Sequence, residues 1–361
     1  MVACASPAAQ WPRVKPEPAP QSQPGAEATK TQPAGAPNSS AKPGSESSLT
    51  PNTVFRSSTA LVRIDTQVLR AGRPVEGLTQ ADFGVFDDGQ PVQLAAFGQS
   101  REALEVILLF DVSGSMSRIL VEMATVAEKA LGSLQPEDQV AVLVFGRRML
   151  PLVEPTSDRR AAARMIQESL FEHDVGAGTN LNGAILETAD WLAKQPPFAG
   201  RRSLIILTDN KGMHYQTPDE KVLHALAGLD VTLSAIVPAD ARPPKPVPLG
   251  AHANPDFTPL DVFKLARETG GEVLRADRTG GRFVEMMERV RLRYDLAIRP
   301  QPGPEGAFRR LEVQLTDEAR ARVGKVEIRA RSGYYTVAPA PAPTEPSAHG
   351  AASSRPPGSL R

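Results

Sequence analysis

Hydrophobic residues in the middle of the chain form short apolar runs that alternate with segments of helical periodicity. Apolar strands that alternate with amphipathic helices are typical of a doubly wound, mainly parallel α/β sheet. We therefore predict a Rossmann-like α/β domain over residues 101–297. Its strands are predicted at 105–110, 139–145, 203–208, 231–237 and 272–275, and its helices at 119–133, 158–170, 181–194, 218–228, 258–269 and 280–294.

The regions on either side of this domain have a two-residue periodicity instead. Residues 62–67 alternate between apolar and polar side chains, and the segments 308–315 and 323–330 have the character of strands near the other end. Neither flank has enough strands for a stable sheet of its own. We therefore predict that residues 53–100 and 298–337 come together as a small antiparallel β unit.

The two ends of the chain differ in composition from the part between them. Residues 1–52 and 338–361 are rich in Pro, Ala and Ser and poor in large apolar residues, which predicts disordered tails. Acidic and basic residues number 41 each, and this balance gives no electrostatic reason to expect nucleic-acid binding. No apolar run has the length of a membrane helix, so no transmembrane segment is predicted.

The single cysteine, Cys4, excludes an internal disulfide and a cysteine-based metal site. The sequence as given has no basic and apolar segments that would make an intact signal peptide. Val2-Ala3-Cys4, with small and proline-rich residues after it, resembles the end of a bacterial lipoprotein signal whose front is missing because the start codon is assigned too late. Cys4 would then carry a lipid anchor. The alternative is an unmodified cysteine in a disordered tail.

Oxygen-bearing side chains follow the first buried strand of the α/β domain. Asp111 stands at the carboxyl end of that strand, and Ser113 and Ser115 follow on the loop that leads into a helix. A carboxylate and two hydroxyls are hard oxygen donors, the ligand class that Mg²⁺, Mn²⁺ and Ca²⁺ favour. Taken alone, the same residues also suit the capped start of a helix.

Two other loops add residues of the same chemistry. Thr179 lies in a glycine-rich loop that opens a helix, and Asp209 directly follows the strand predicted at 203–208. Ligands of parallel α/β sheets bind outside the carboxyl ends of the strands. We therefore predict a metal site made by the side chains of Asp111, Ser113, Ser115, Thr179 and Asp209.

The order of these residues resembles a known family. Asp-x-Ser-x-Ser at 111–115, followed by a distant Thr and a distant Asp, is similar to the metal-ion-dependent adhesion site (MIDAS) of von Willebrand factor type A domains. The resemblance implies a binding module for adhesion or assembly with Mg²⁺, or Mn²⁺ or Ca²⁺, as its cofactor. An Asp or Glu of a protein partner would complete the coordination, and the protein would not be an enzyme.

The flanking segments narrow the resemblance. Residues 77–91, 308–313 and 329–335 resemble bacterial von Willebrand factor A-related proteins described chiefly from acidobacteria. This resemblance covers about residues 57–337 and implies an extracytoplasmic location. The sequence departs from the family after Asp209, where the family often has glycine and this chain has Asn210 and Lys211. Asparagine tolerates unusual backbone angles, and the lysine is expected to weaken cation binding or to contact an acidic partner.

Two other functions stay open at this point. One is a structural or assembly role in which the metal is incidental. The other is a metal-dependent hydrolase, because a serine on a strand-to-helix turn can act as a nucleophile. However, no Gly-x-Ser-x-Gly motif surrounds the serines, and the histidines form no zinc or general-base motif. No catalytic residue is therefore predicted, and Trp191 is expected to pack in the core.

Overall fold

The computed structural model describes residues 61–99, 102–170, 174–211, 213–214, 217–245, 258–259, 261–276 and 280–336. These residues belong to one compact unit, Ser57–Arg361. Both predicted tails and Cys4 lie outside the described residues.

The described residues contain strands and helices in the following order along the chain. The strands are β1 (Val62–Arg70), β2 (Arg73–Pro74), β3 (Phe83–Asp87), β4 (Gln90–Val92), β5 (Leu94–Gln99), β6 (Leu104–Asp111), β7 (Gln139–Phe145), β8 (Met149–Thr156), β9 (Arg201–Leu207), β10 (Met213–His214), β11 (Val231–Val237), β12 (Thr258–Pro259), β13 (Val273–Arg275), β14 (Tyr294–Ile298), β15 (Phe308–Leu315), β16 (Glu327–Arg329) and β17 (Gly333–Tyr335). The helices are α1 (Ser117–Leu131), α2 (Arg159–Ser169), α3 (Leu181–Leu192), α4 (Asp219–Gly228), α5 (Val262–Thr269), α6 (Gly281–Arg291) and α7 (Asp317–Val323).

The central sheet has the strand order β13-β11-β9-β6-β7-β8. Its strands are parallel except β8, which pairs with β7 in the antiparallel direction. This arrangement confirms the predicted fold class, a doubly wound and mainly parallel α/β sheet. The strand β6 is buried along its whole length because both faces of the sheet are covered.

The two faces of β6 explain why its sequence is an unbroken apolar run. Val106, Leu108 and Phe110 pack with residues of α1, α2 and α6, whereas Ile107 and Leu109 pack with residues of α3, α4 and α5. Successive side chains of a strand point to opposite faces, so alternate residues of the run belong to two different hydrophobic cores. Trp191 of α3 packs against the second of these cores, as predicted.

The flanks form the β unit as two antiparallel sheets that share one core. One sheet has the order β16-β1-β14-β5, with β2 paired to β1, and the other has the order β17-β15-β3-β4. Strands from before and after the α/β part therefore pair directly, β1 with β16 and β3 with β15. This pairing confirms the antiparallel unit that the two-residue periodicity predicts.

Several elements differ from the predicted ones. The sequence predicts a helix to position 294, but α6 ends at Arg291 and Tyr294 is the first residue of β14, which pairs with β1 and β5. The helix predicted from 258 begins at Val262, because the Asp261 side chain accepts from the backbone of Lys264 and caps it. The edge strand β8 and the short helix α7 are not predicted, and α7 has too few turns to show a helical period.

The strand β1 also differs from its prediction, because its polar face contacts other protein groups. The alternation in 62–67 predicts a half-buried strand, yet Gln67 is fully buried and donates to the Glu272 carboxylate at 2.8 Å. The Asp65 carboxylate lies 3.0 Å from Arg201 Nη1 and 2.9 Å from Arg293 Nε. Burial alone would raise the pKa of Asp65, but the two guanidinium groups outweigh it and hold that pKa below its ordinary value. The polar face of β1 therefore joins the β unit to the α/β part.

Helices long and apolar enough to cross a membrane are absent from the part of the chain that the structure describes.

Candidate metal centre

Asp111 is held rigidly at the carboxyl end of the central strand β6. It is fully buried, and its Oδ1 accepts from the Ser113 backbone N at 3.0 Å. Its Oδ2 accepts from the Thr208 hydroxyl at 2.8 Å. Because β6 lies between β7 and β9 in the sheet, Asp111 lies next to the ends of two other strands. These two hydrogen bonds thus fix the orientation of the carboxylate.

The two serine hydroxyls lie side by side on the loop after Asp111. Ser113 Oγ and Ser115 Oγ are 3.3 Å apart, within a short 3₁₀ turn at Gly114–Met116. Ser113 occupies the N-cap position of this turn, but its side chain makes no capping hydrogen bond. The N-cap residue of α1 is Met116, again without a side-chain cap. Helix capping therefore does not account for this pair of hydroxyls.

Thr179 lies on a loop that crosses the carboxyl end of β7, the strand next to β6. The Asn180 backbone N donates to the Gly146 carbonyl at 2.9 Å, directly after β7. A Cβ on Gly146 would come within 2.6 Å of the Gly176 carbonyl oxygen, so glycine is required for this close approach. Within the described residues the Thr179 hydroxyl makes no hydrogen bond.

Asp209 completes the group from the end of β9. It is 2 % exposed, and its Oδ1 accepts from the Lys211 backbone N at 2.9 Å. Its Oδ2 is buried without a hydrogen-bond partner. The Lys211 ammonium lies 3.8 Å from this oxygen on a side chain that is 65 % exposed, and it is the one cation paired with either site carboxylate among the described residues.

The electrostatics of the site favour a positive charge. Burial raises the pKa of Asp111; hydrogen bonds from Ser113 and Thr208 oppose this effect, while the negative charge of Asp209 adds to it. Two buried carboxylates therefore lie close enough to repel each other, with one exposed lysine nearby. The described residues contain no group of three or more His, Cys, Asp and Glu side chains arranged for a metal. A cation here would depend on the hydroxyl oxygens as well as the two carboxylates.

The structure thus brings four of the five predicted residues together and places Thr179 on the neighbouring loop. Sequence reasoning did not single out Thr208, whose hydroxyl donates to Asp111 and accepts from the Asn210 backbone at 3.2 Å. The signal was present, because Thr208 is a polar residue at the end of an apolar strand, directly before the predicted ligand Asp209. Asn210 has a φ of +56°, which confirms the expectation that asparagine tolerates this turn.

Comparison with known proteins identifies the part of the chain that carries this site. Residues 106–212 match the family model of the von Willebrand factor type A domain. No curated protein matches the chain.

Among solved structures, the chain is similar to an aerotolerance-related membrane protein from Bacteroides fragilis, with 17 % identity, 52 % of this chain and 98 % of that chain covered, and a TM-score of 0.41. It is similar to a von Willebrand factor type A protein from Catenulispora acidiphila, with 14 % identity, coverage of 78 % and 75 %, and a TM-score of 0.39. A mussel byssus protein with a zinc-occupied MIDAS motif has 11 % identity, coverage of 58 % and 50 %, and a TM-score of 0.41.

The resemblance to the acidobacterial type stays a prediction. The family model covers both Asp111 and Asp209 and the strands that position them. The chain therefore contains a von Willebrand factor type A domain, in residues 106–212.

Proposed function

We propose that the chain is a divalent-metal-dependent protein-binding module for adhesion or assembly, with its site at the carboxyl ends of β6 and β9. The buried Oδ2 of Asp209 carries this proposal, because it accepts no hydrogen bond, lies 3.8 Å from the mostly exposed Lys211 ammonium and is next to the buried carboxylate of Asp111. Two neighbouring buried carboxylates with one exposed lysine as their counter-charge cost free energy, which a bound cation would offset. Mg²⁺, Mn²⁺ and Ca²⁺ are the ions that favour such oxygen donors.

Each residue has a distinct role in this proposal. Ser113, Ser115 and Thr179 offer uncharged hydroxyl oxygens to the ion, while Asp111 and Asp209 balance its charge directly or through water. A bound cation supplies a positive charge with a free coordination position, which an Asp or Glu of a protein partner fills. In this proposal the role of the site is recognition rather than catalysis.

Binding of Mn²⁺ tests the site directly. Isothermal titration calorimetry of the full chain should show one Mn²⁺ site, and Asp111→Ala and Ser113→Ala should each weaken it by about 10- to 100-fold. Ser133→Ala is the matched control, because this serine bonds the Ala130 carbonyl at the far end of α1. Mn²⁺ affinity that is equal in the wild type and both site variants would exclude this site.

The acidic partner is tested with the Mn²⁺-loaded protein. Bound Mn²⁺ speeds the relaxation of water protons, and a short peptide with one aspartate should reduce that effect by displacing water. The same peptide with asparagine should leave it unchanged. An equal response to both peptides would contradict recognition of a carboxylate, and a partner complex that survives EDTA would favour the structural role with an incidental metal.

Replacement of Lys211 should tighten metal binding. Its ammonium lies 3.8 Å from Asp209 Oδ2 and is mostly exposed, so its repulsion of a cation is worth about 1 kcal/mol at most. Lys211→Met should therefore raise Mn²⁺ affinity by about fivefold, with a smaller gain at high salt. Lys325→Met, a charge change in the distant β unit, is the control. Unchanged affinity in Lys211→Met would show that the lysine points away from the bound ion.

The extracytoplasmic location and the lipid anchor at Cys4 stay predictions. The genomic DNA upstream of Met1 tests both, because an in-frame basic and apolar segment that ends at Cys4 would make a lipoprotein signal.

A further inference from the structure

A cavity of about 440 Å³ lies between the α/β part and the β unit. The first residues of β9 and β11 line one side, and residues of β1, β15 and β17 line the other. The candidate metal site follows the last residues of β6 and β9, so the cavity lies at the opposite end of β9. Its volume falls in the range of small-molecule pockets, about 300–1,000 Å³, and such pockets are frequent where two structural units meet.

One wall of the cavity is apolar. Leu223 and Ala227 of α4 face it, together with the rings of Phe308 and Tyr335. The two ring centres are 5.3 Å apart, and Phe308 is 50 % exposed, a high value for a large apolar side chain. This wall suits a ligand with an aromatic or aliphatic body.

The polar side of the cavity contains one guanidinium group whose two Nη atoms both lack a hydrogen bond to a described residue. Three of the four arginines in the lining have a carboxylate partner there: Arg63 with Asp295, Arg201 with Asp65, and Arg331 with Asp230. The fourth, Arg202, donates from Nε to the buried Glu105 at 2.7 Å. Neither Nη of Arg202 makes a hydrogen bond to a described residue, although its side chain is only 16 % exposed.

A guanidinium with two free Nη atoms matches a carboxylate in shape and charge. The formal charges around the cavity nearly cancel, so the net charge of the cavity does not select the ligand. The free Nη donors of Arg202 do. Glu220 and Glu268 also line the cavity, but Glu220 is 75 % exposed and Glu268 lies beside Arg267 at 3.2 Å, so solvent and that arginine weaken their repulsion of an anion.

We propose that this cavity binds a small carboxylate with an apolar body. The carboxylate pairs with Arg202, and the body packs against Leu223, Ala227 and Phe308. This site is separate from the proposed metal site and needs no cation.

Three small probes with the same ring test the proposal by calorimetry on the full chain in EDTA. Phenylacetate should bind, and phenethylamine, which has the opposite charge, should not. L-Phenylalanine distinguishes two sources of the same chemistry: tighter binding than phenylacetate points to amino acids, and weaker binding points to simple acids. Phenethylamine that binds as well as phenylacetate, or no binding of either carboxylate at millimolar concentration, would overturn the proposal.

Two variants locate the binding site. Arg202→Gln should weaken phenylacetate binding by about tenfold or more, whereas Arg118→Gln, at a residue 74 % exposed on α1, should not. Ala227→Phe should abolish binding by filling the apolar side, without touching a charged pair, and thermal melting checks that it folds. Phenylacetate affinity that is unchanged in Ala227→Phe would place the ligand elsewhere and refute the assignment.

Discussion

Replacement of Asp65 by alanine is expected to lower the free energy of unfolding by about 3–5 kcal/mol. The Asp65 carboxylate is the shared partner of Arg201 and Arg293, whose side chains are 3 % and 2 % exposed. Without it, two guanidinium groups stay buried close together without this counter-charge, at the junction of the β unit and the α/β part. Urea denaturation of the wild type and the variant measures the difference.

Asp317→Ala is the matched control for this change. Asp317 pairs with Arg320 at 3.6 Å, but its side chain is 96 % exposed, so its loss should cost less than about 1 kcal/mol. The effect of pH gives a second readout. Because the pKa of Asp65 is lowered in the folded protein, its stabilisation is present above the ordinary value of 3.8 and is lost as pH falls through the folded pKa. The gap between wild type and Asp65→Ala should therefore shrink in acid. Equal losses for the two variants at neutral pH would contradict a buried ion-pair cluster.

The central sheet could be predicted because its physical causes are local. A parallel strand covered on both faces needs consecutive apolar residues, and β6 and β9 have them. The strand β14 was not predicted, because its causes are contacts with distant parts of the chain. Tyr294, Leu296 and Ile298 are buried through contacts with β1 and β5, about 230 and 200 residues away along the chain, and the preceding helical period masks their alternation.

Polar residues show the same difference between local patterns, which can be predicted, and contacts between distant parts of the chain, which cannot. Asp111, Ser113 and Ser115 share one short loop, so a sequence motif captures them, and the end of β9 places Asp209 near Asp111. The partners of Asp65 could not be predicted, because Arg201 and Arg293 are brought to β1 only by the fold. A period-two pattern predicts which residues share a face of the strand, but it does not reveal whether that face meets water or another part of the protein.

Gly271→Ala is expected to destabilise the protein by about 3 kcal/mol. Gly271 connects α5 to β13, and a Cβ at this position would lie 1.8 Å from the Leu233 carbonyl oxygen in β11. Neither side can move easily. Leu233 is fully buried in the sheet, where β11 has β9 on one side and β13 on the other, and the Gly271 backbone N donates to the Ala266 carbonyl at 2.8 Å. Relief of the clash would move α5 and the edge strand β13 away from β11, and thermal and urea unfolding would detect this loss of packing.

Gly228→Ala separates this steric effect from the general effect of removing a glycine. Gly228 is the last residue of α4, and a Cβ there would meet no atom within 4 Å. Alanine restricts the unfolded chain more than glycine does, so this variant should be more stable than the wild type by about 0.5–1 kcal/mol. Both substitutions replace glycine with alanine, but their effects on the free energy of unfolding should have opposite signs because only Gly271 has a close neighbour. A stabilising effect of Gly271→Ala would mean that α5 and β13 pack more loosely on β11 than a 1.8 Å approach allows.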